Sequence, residues 1–219
     1  MLEYWKKNIL SCWPIFARNY QFLITAQILL FLVYLYPSIE LRMIQENFIN
    51  YNIPLSKIIL IMALSLMYIG IDLGSVSITY NSIMNKKIEF RDIFQQFHKI
   101  HLILIPYIGL SIIFIILISI VGPSLVSLIC FISLYLLFLF FYNYLIIIEQ
   151  LSIKEALTKG YYLFMGNVGL ILQYCLIAFL IYFICFLILQ QIGLIFAMCF
   201  TRIMGINLFL VLSRSIKIN

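Results

Sequence analysis

Two ionisable residues stand inside long apolar runs of the chain. Asp72 lies within Ser56–Tyr80 and Arg202 within Gly193–Leu212. A charge at mid-depth of a bilayer costs about 2.5–3.5 kcal/mol on insertion scales, so each needs a partner or a wet cavity. Asp72 precedes Lys86 by fourteen residues and Arg202 precedes Arg214 by twelve. At about 1.5 Å per residue the two depths differ by only about 3 Å. The count predicts that the charges face each other across two helices. Asp72 also falls on a seam of polar residues three and four apart: Ser65, Tyr68, Ser75, Thr79 and Ser82 continue it on either side. Such a seam must face protein or water, not lipid. Gly70 and Gly74 flank the aspartate and allow close approach of a neighbouring face. The pair reads either as a polar conduit or coupling-ion site, or as a salt bridge that fixes helix order. One pair with small hydroxyls is thin material for a pathway, which favours the structural reading.

Other chemistry-bearing groups give less. His98 and His101 lie three apart, a spacing that could hold a metal or sense pH, but no carboxylate or third ligand is near in sequence. The cysteines (Cys12, Cys130, Cys175, Cys185 and Cys199) are scattered and odd in number, without metal or redox spacing. They read as small apolar residues. Asn143, Gln173, Tyr135 and Tyr174 are expected to hydrogen-bond across helices. No zinc, nucleophile-elbow or phosphate-loop motif is present. The expectation is a protein that is not an enzyme, with no cofactor and no metal.

The elements that must position these groups follow from composition. The chain has 219 residues, 65% hydrophobic and 10% charged, with a mean hydropathy of +1.12. Soluble domains run nearer about 45–50% apolar and about 25% charged. Since about 20 apolar residues cross a bilayer core, there is room for six spans and no soluble catalytic domain. The runs are Tyr20–Tyr36, Ser56–Tyr80, Leu102–Val121, Ser124–Ile148, Asn167–Gln190 and Gly193–Leu212. The fold class is therefore all-α: a polytopic six-helix transmembrane bundle forming one membrane domain over residues 1–219. Gly122-Pro123-Ser124 and Gln190-Gln191-Ile192-Gly193 are expected to be tight turns. The first span is expected to end at Tyr36-Pro37, with a polar loop to Lys57.

Three stretches between spans read as short amphipathic helices lying flat at the interface. Ser152-Ile153-Lys154-Glu155 has the form of a capping box. Ile153, Ala156, Leu157, Gly160, Tyr161 and Phe164 then follow a 3.6-residue period. Lys154 and Lys159 lie off that stripe, which suits a lipid interface; the alternative is a helix packed on protein. Gly166 and Gly169 are expected to permit the bend that follows. The second such helix covers the first eighteen residues, with Trp5 and Trp13 as interfacial anchors and a disturbance at Pro14. The third carries Phe90, Ile93, Phe94 and Phe97 at helical spacing, with Lys86, Lys87 and Arg91 as basic anchors. These junctions, FARNYQFLI, FHKIHLILI and FMGNVGLIL, can be overlaid. They give a possible threefold repeat of interfacial helix plus hairpin over 1–81, 82–148 and 149–219.

Basic residues set the orientation. Eleven lysines and arginines fall on the side of both termini, and only Arg42 and Lys57 on the other. That asymmetry places both ends in the cytoplasm. It also explains the net charge of +6 without nucleic acid.

One further pattern is a fourth span ending in Glu149, then Ser152, Glu155, Ala156, Leu157 and Gly160, preceded by Asp92-Ile93-Phe94 through Phe97 entering the third span. In this the chain resembles a family of uncharacterised bacterial six-helix inner-membrane proteins related to the membrane domain of glycerophosphodiester phosphodiesterase. The family commonly has Pro-Gly between spans three and four, where this chain has Gly122-Pro123. The resemblance implies a six-helix inner-membrane protein and carries over no active-site residue. The phosphodiesterase chemistry belongs to a separate domain.

Two functional readings follow. The first is a non-enzymatic membrane-organising or accessory protein whose basic flanks sit on anionic lipid of the cytoplasmic leaflet. The second is a transporter, or the membrane subunit of a transport system with an ATPase or other membrane-protein partner. Broken mid-membrane helices, common in transporters, are not expected from this sequence, which weighs against the second.

Overall fold

The computed structural model describes residues 2–46, 55–122 and 124–215. Every regular element among them is helical: α1 Leu2–Glu46, α2 Leu55–Ile83, two 3-10 turns at Phe90–Ile93 and Gln95–Lys99, α3 Ile100–Val121, α4 Leu125–Leu139, α5 Tyr142–Ile147, α6 Ile153–Gly166 and α7 Val168–Ser215. Six segments are long and apolar enough to cross a membrane, so this is a multi-pass membrane protein. The side chains of Glu40, Arg42 and Glu46 lie outside the described residues, as do Pro123 and Lys217.

Two long helices are each a pair of limbs. α1 leaves helical geometry only at Asn19 (φ −126°, ψ 23°), not at Pro14. A proline ring holds a helical φ and costs the helix one hydrogen bond, whereas Asn19 spends its amide on Ser82 Oγ at 2.7 Å. Pro37 is likewise inside the helix, which continues to Glu46 rather than stopping at Tyr36. α7 turns back at Gln190 (φ 51°, ψ −130°). Gly193 makes that turn possible: a Cβ there would lie 2.0 Å from the Cys185 carbonyl oxygen. At the other hairpin Gly122 has φ 79°, a backbone region that favours glycine.

The three stretches read as flat helices are packed on protein. The first limb of α1 runs along the second limb of α7. Asn207 donates to Asn8 Oδ1 at 3.2 Å, and Trp13 stacks on Phe200 with centroids 6.0 Å apart. Trp5 is buried, not an interfacial anchor, because its indole N–H finds Gln173 Oε1 at 2.9 Å. Trp13 is exposed. Residues 90–99 are not an α-helix. Their two 3-10 turns are seated on α2, where a Cβ on Gly74 would meet Ile93 O at 1.8 Å and one on Gly70 would meet the Phe97 ring at 2.6 Å. The glycines flanking Asp72 thus make a notch for a connector. Ile93 is buried, whereas Phe90 and Phe94 are exposed. Around this connector Glu89 pairs with Lys87 at 3.1 Å and Arg91 at 2.8 Å, and Lys86 lies over the Tyr80 ring at 5.5 Å.

α6 buries Ala156, Gly160 and Leu163 against α4 and α5, with Tyr161 stacked on Phe138 at 5.9 Å. A 3.6-residue apolar stripe cannot distinguish a protein face from a lipid face, and here it meets protein. Lys154 stays exposed, and Lys159 pairs with Glu149 at 2.5 Å. The bend after α6 sits at Asn167 (φ −138°, ψ 26°). Gly166 and Gly169 have nothing near their Cβ positions, so neither is there for close approach.

The start of α6 is a capping box. Glu155 N donates to Ser152 Oγ at 3.4 Å, and Ser152 N donates to Glu155 Oε2 at 3.0 Å. Hydrogen bonds from the Ser152 side chain and backbone hold the Glu155 carboxyl below its ordinary value. Its folded pKa therefore lies below the unfolded value of about 4.3. The contribution is complete above that value and is lost as pH falls through the folded pKa. Ser152→Ala should cost about 1 kcal/mol, read as faster hydrogen exchange at the first turn of α6. No change in that exchange would show that the cap contributes nothing.

Packing is uneven along the bundle. In α2 the buried residues run only from Gly70 to Ser82. Residues 55–67 are exposed on every face except the strip at Lys57, Ile61 and Leu64. In the second limb of α7 most residues from Ala197 to Phe209 are buried. The core is therefore close-packed toward the chain termini and open toward the Gly122 and Gln190 turns.

Candidate functional site

Asp72 and Arg202 meet where the packed half of the bundle gives way to the open half. Arg202 Nη2 lies 2.5 Å from Asp72 Oδ1. Its Nη1 donates to the Asp72 carbonyl oxygen at 3.0 Å and to Ser75 Oγ. From α1, Gln27 Nε2 also donates to Ser75 Oγ at 3.3 Å, so three helices converge on one serine. A guanidinium suits this place because it spreads several donors over a rigid fork. Both charged side chains keep part of their surface open, 17% for Arg202 and 20% for Asp72.

That surface faces a cavity of about 350 Å³ lined by Tyr68, Asp72, Val76, Tyr107, Tyr135, Leu139, Phe140, Asn143, Tyr144 and Arg202. Its volume falls in the range of about 300–1,000 Å³ typical of small-molecule sites. Tyr107 and Tyr135 meet edge to face at 6.3 Å. Asn143 Nδ2 reaches Asp72 Oδ2 at 3.4 Å, while Asn143 Oδ1 is buried without a partner among the described residues. Gly205 leaves room for two phenols beneath the pair: a Cβ there would meet Tyr174 Oη at 2.8 Å and Tyr144 Oη at 3.0 Å. Tyr174 Oη donates to the Thr201 carbonyl at 2.9 Å.

The local fold explains why Asn143 and Tyr144 reach this point. The fourth span, Leu125–Ile147, loosens between α4 and α5 at Phe140 (φ −56°, ψ −46°) and Phe141 (φ −99°, ψ −1°), where the backbone stays right-handed helical. The loosened turn falls at the cavity wall, and the span is bent there rather than broken: Leu145 N still donates to Phe141 O at 3.0 Å. Nothing in the sequence there is a proline or glycine. The bend instead comes with a pair of rings, Phe140 and Phe141, packed edge to face at 4.7 Å.

The polar seam divides into three. Tyr68, Asp72 and Ser75 surround Arg202. Thr79 and Ser82 turn to the termini end, Thr79 donating to Ser75 O at 2.7 Å and Ser82 to Ile15 O at 3.5 Å. Ser65 is exposed and donates to Ile61 O at 2.8 Å. His98 is bonded through its own Nδ1 to Gln95 O at 2.8 Å and takes no part in the cavity. Sequence reasoning passed over Tyr107, Tyr144 and Gln27. Spacing gave no signal for the first: Tyr107 lies only eight residues after Lys99, about 6–9 Å shallower than the charge pair at about 1.5 Å per residue.

Comparison with protein-family models, with curated proteins and with solved structures gives no match for this chain.

Proposed function

We propose that this protein binds a small, net-neutral polar solute inside the membrane, as a transporter or the membrane subunit of a transport system. The observation that carries this reading is the cavity itself. A salt bridge serving only to fix helix order would be sealed, whereas this one contributes both charges to a polar pocket. A concave site with a few convergent polar groups is how a membrane bundle holds a solute. The organising role weighed from the sequence rests on basic asymmetry, which a transport subunit shares, so it does not discriminate.

The solute class follows from the free valences. Asp72 Oδ2 can accept further, Asn143 Oδ1 is an unspent acceptor just behind the wall, and Arg202 retains N–H groups beyond those spent on Asp72 and Ser75. The site is already neutral overall. A ligand with net charge would bring an unpaired charge into it, while a zwitterion meets both signs. Four tyrosines line the cavity, and aromatic rings attract an ammonium group.

The setting is the bacterial inner membrane with both termini in the cytoplasm, supported by the eleven-to-two basic count. The partners in this reading are anionic lipid of that leaflet and a cytoplasmic ATPase, with no reaction at the chain itself. The resemblance to six-helix inner-membrane proteins fits it. So does a repeat of hairpin units, since Phe16-x-x-Asn19 and Phe164-x-x-Asn167 bend with similar dihedrals.

A thermal-shift series on purified protein tests the reading. Glycine betaine and taurine should raise the melting temperature by several degrees at saturating concentration, and ethylammonium and acetate should not. Asn143→Leu should lose the response. Equal shifts from all four solutes, none from the zwitterions, or an unchanged response in Asn143→Leu would reject it.

A further inference from the structure

A second cavity, of about 440 Å³, lies at the termini end between the first limb of α1, the end of α2 and the end of α7. Lys7 and Arg214 both line it and both are exposed. Neither has an acidic partner among the described residues, and no carboxylate lines the cavity. Two of its lining residues carry donors that are sealed from solvent and have no partner among the described residues. Asn8 is only 7% exposed, and its Nδ2 has no partner; the buried Tyr4 hydroxyl has none either.

The orientation of Asn8 is fixed by its surroundings. Asn207 Nδ2 donates to Asn8 Oδ1 at 3.2 Å and to Ser11 Oγ at 3.4 Å, and Ser11 Oγ donates to Asn8 O at 2.7 Å. The acceptors of Asn8 are spent, which leaves its amide N–H group unspent just behind the cavity wall. An unsatisfied buried donor is costly, and native proteins rarely leave one without a ligand, ion or water to receive it.

Two exposed cations at one hollow, with an unspent amide N–H and phenol O–H just beneath its lining, match an anion with several acceptor oxygens. From this donor set we infer that the cavity is a phosphate site, taking either a phospholipid headgroup or a free phosphate ester. A phosphate offers charge to both cations and has oxygens for the two orphan donors. The remaining wall, Ile15, Ile83, Leu210 and Val211, is apolar and accepts whatever carbon the phosphate carries. The site is separate from the Asp72–Arg202 cavity and stands whether or not that cavity binds a solute.

Native mass spectrometry of the full chain, purified in detergent, reads the test. The probes are phosphatidylglycerol, diacylglycerol as its phosphate-free counterpart, glycerol 3-phosphate and inorganic phosphate. Phosphatidylglycerol should be retained as a single bound molecule and diacylglycerol should not. The double variant Lys7→Gln with Arg214→Gln should weaken retention at least tenfold. Lys6→Gln with Lys154→Gln, which removes two exposed cations outside the cavity, should leave it unchanged. Retention that survives excess glycerol 3-phosphate and inorganic phosphate assigns the site to a lipid headgroup. Displacement by either assigns it to a free phosphate ester, and the inference holds in both cases. Equal retention of diacylglycerol, or equal losses in the two double variants, overturns it.

Discussion

Arg202→Leu alone should destabilise the protein by about 3–5 kcal/mol, the usual cost of leaving one member of a buried ion pair behind. The loss has two parts. Asp72 would keep its charge with the 3.4 Å contact from Asn143 and the water of the cavity, which holds the cost to the lower end of that range. Ser75, at 1% exposure, would lose a donor, as would the Asp72 carbonyl. Asp72→Leu should cost a similar amount by stranding the guanidinium. The double variant Asp72→Leu with Arg202→Leu should be more stable than either single one, because replacing both members removes the unpaired charge. The charge-swapped pair should recover only part of the loss. Arg202 is also anchored to Ser75 and to a carbonyl of α2, and an arginine at position 72 would not reproduce those bonds. Thermal unfolding in detergent measures all four variants. A double variant less stable than both singles would show that the two charges do not depend on each other.

Gly74→Ala should be at least as damaging, by more than about 3 kcal/mol. Overpacking a core usually costs about 1–3 kcal/mol because side chains can yield. Here the new methyl would stand 1.8 Å from the Ile93 carbonyl oxygen, so backbone must move and the connector over residues 90–99 would leave its notch. Gly70→Ala is the graded comparison. Its methyl would meet the Phe97 ring at 2.6 Å, and a ring can rotate away, so the cost should stay within about 1–3 kcal/mol. Gly109→Ala meets nothing within 4 Å and should be neutral or stabilising by up to about 1 kcal/mol through helix propensity. The order Gly74, Gly70, Gly109 in yield and melting temperature is the expected result. Equal behaviour of Gly74→Ala and Gly109→Ala would contradict the seating of the connector on α2.

The membrane class and six spans were legible because apolar length is a property of composition and needs no tertiary information. The opposition of Asp72 and Arg202 was legible for a related reason: helices of similar length put residues equally far from a basic flank at one level. What failed was reading the partner of each amphipathic face. The stripe of Ala156 and Gly160 looks the same whether it meets lipid or Phe138, and only the packed structure decides. The expected break at Pro14 went wrong because proline is only one cause of bending. Asn19 bends α1 by trading helical geometry for a bond to Ser82, a residue 63 positions away. The loosened turn at Phe140-Phe141, beside the cavity, had no proline or glycine to mark it. Asn8 and Asn207 are 199 residues apart, and no spacing argument could join them.

The most direct measurement is water access at the charge pair. In a background with the native cysteines replaced by alanine, Tyr135→Cys and Ile132→Cys are exposed in turn to a charged methanethiosulfonate reagent. The two positions are one helical turn apart on α4 and both are exposed, but only Tyr135 lines the cavity. A cavity open to water predicts rapid modification at position 135, slowed when a bound zwitterion fills the site, and little at position 132, where lipid covers the chain. Modification at 135 no faster than at 132 would mean that the Asp72–Arg202 pair is sealed from water, and the solute-binding account would fail.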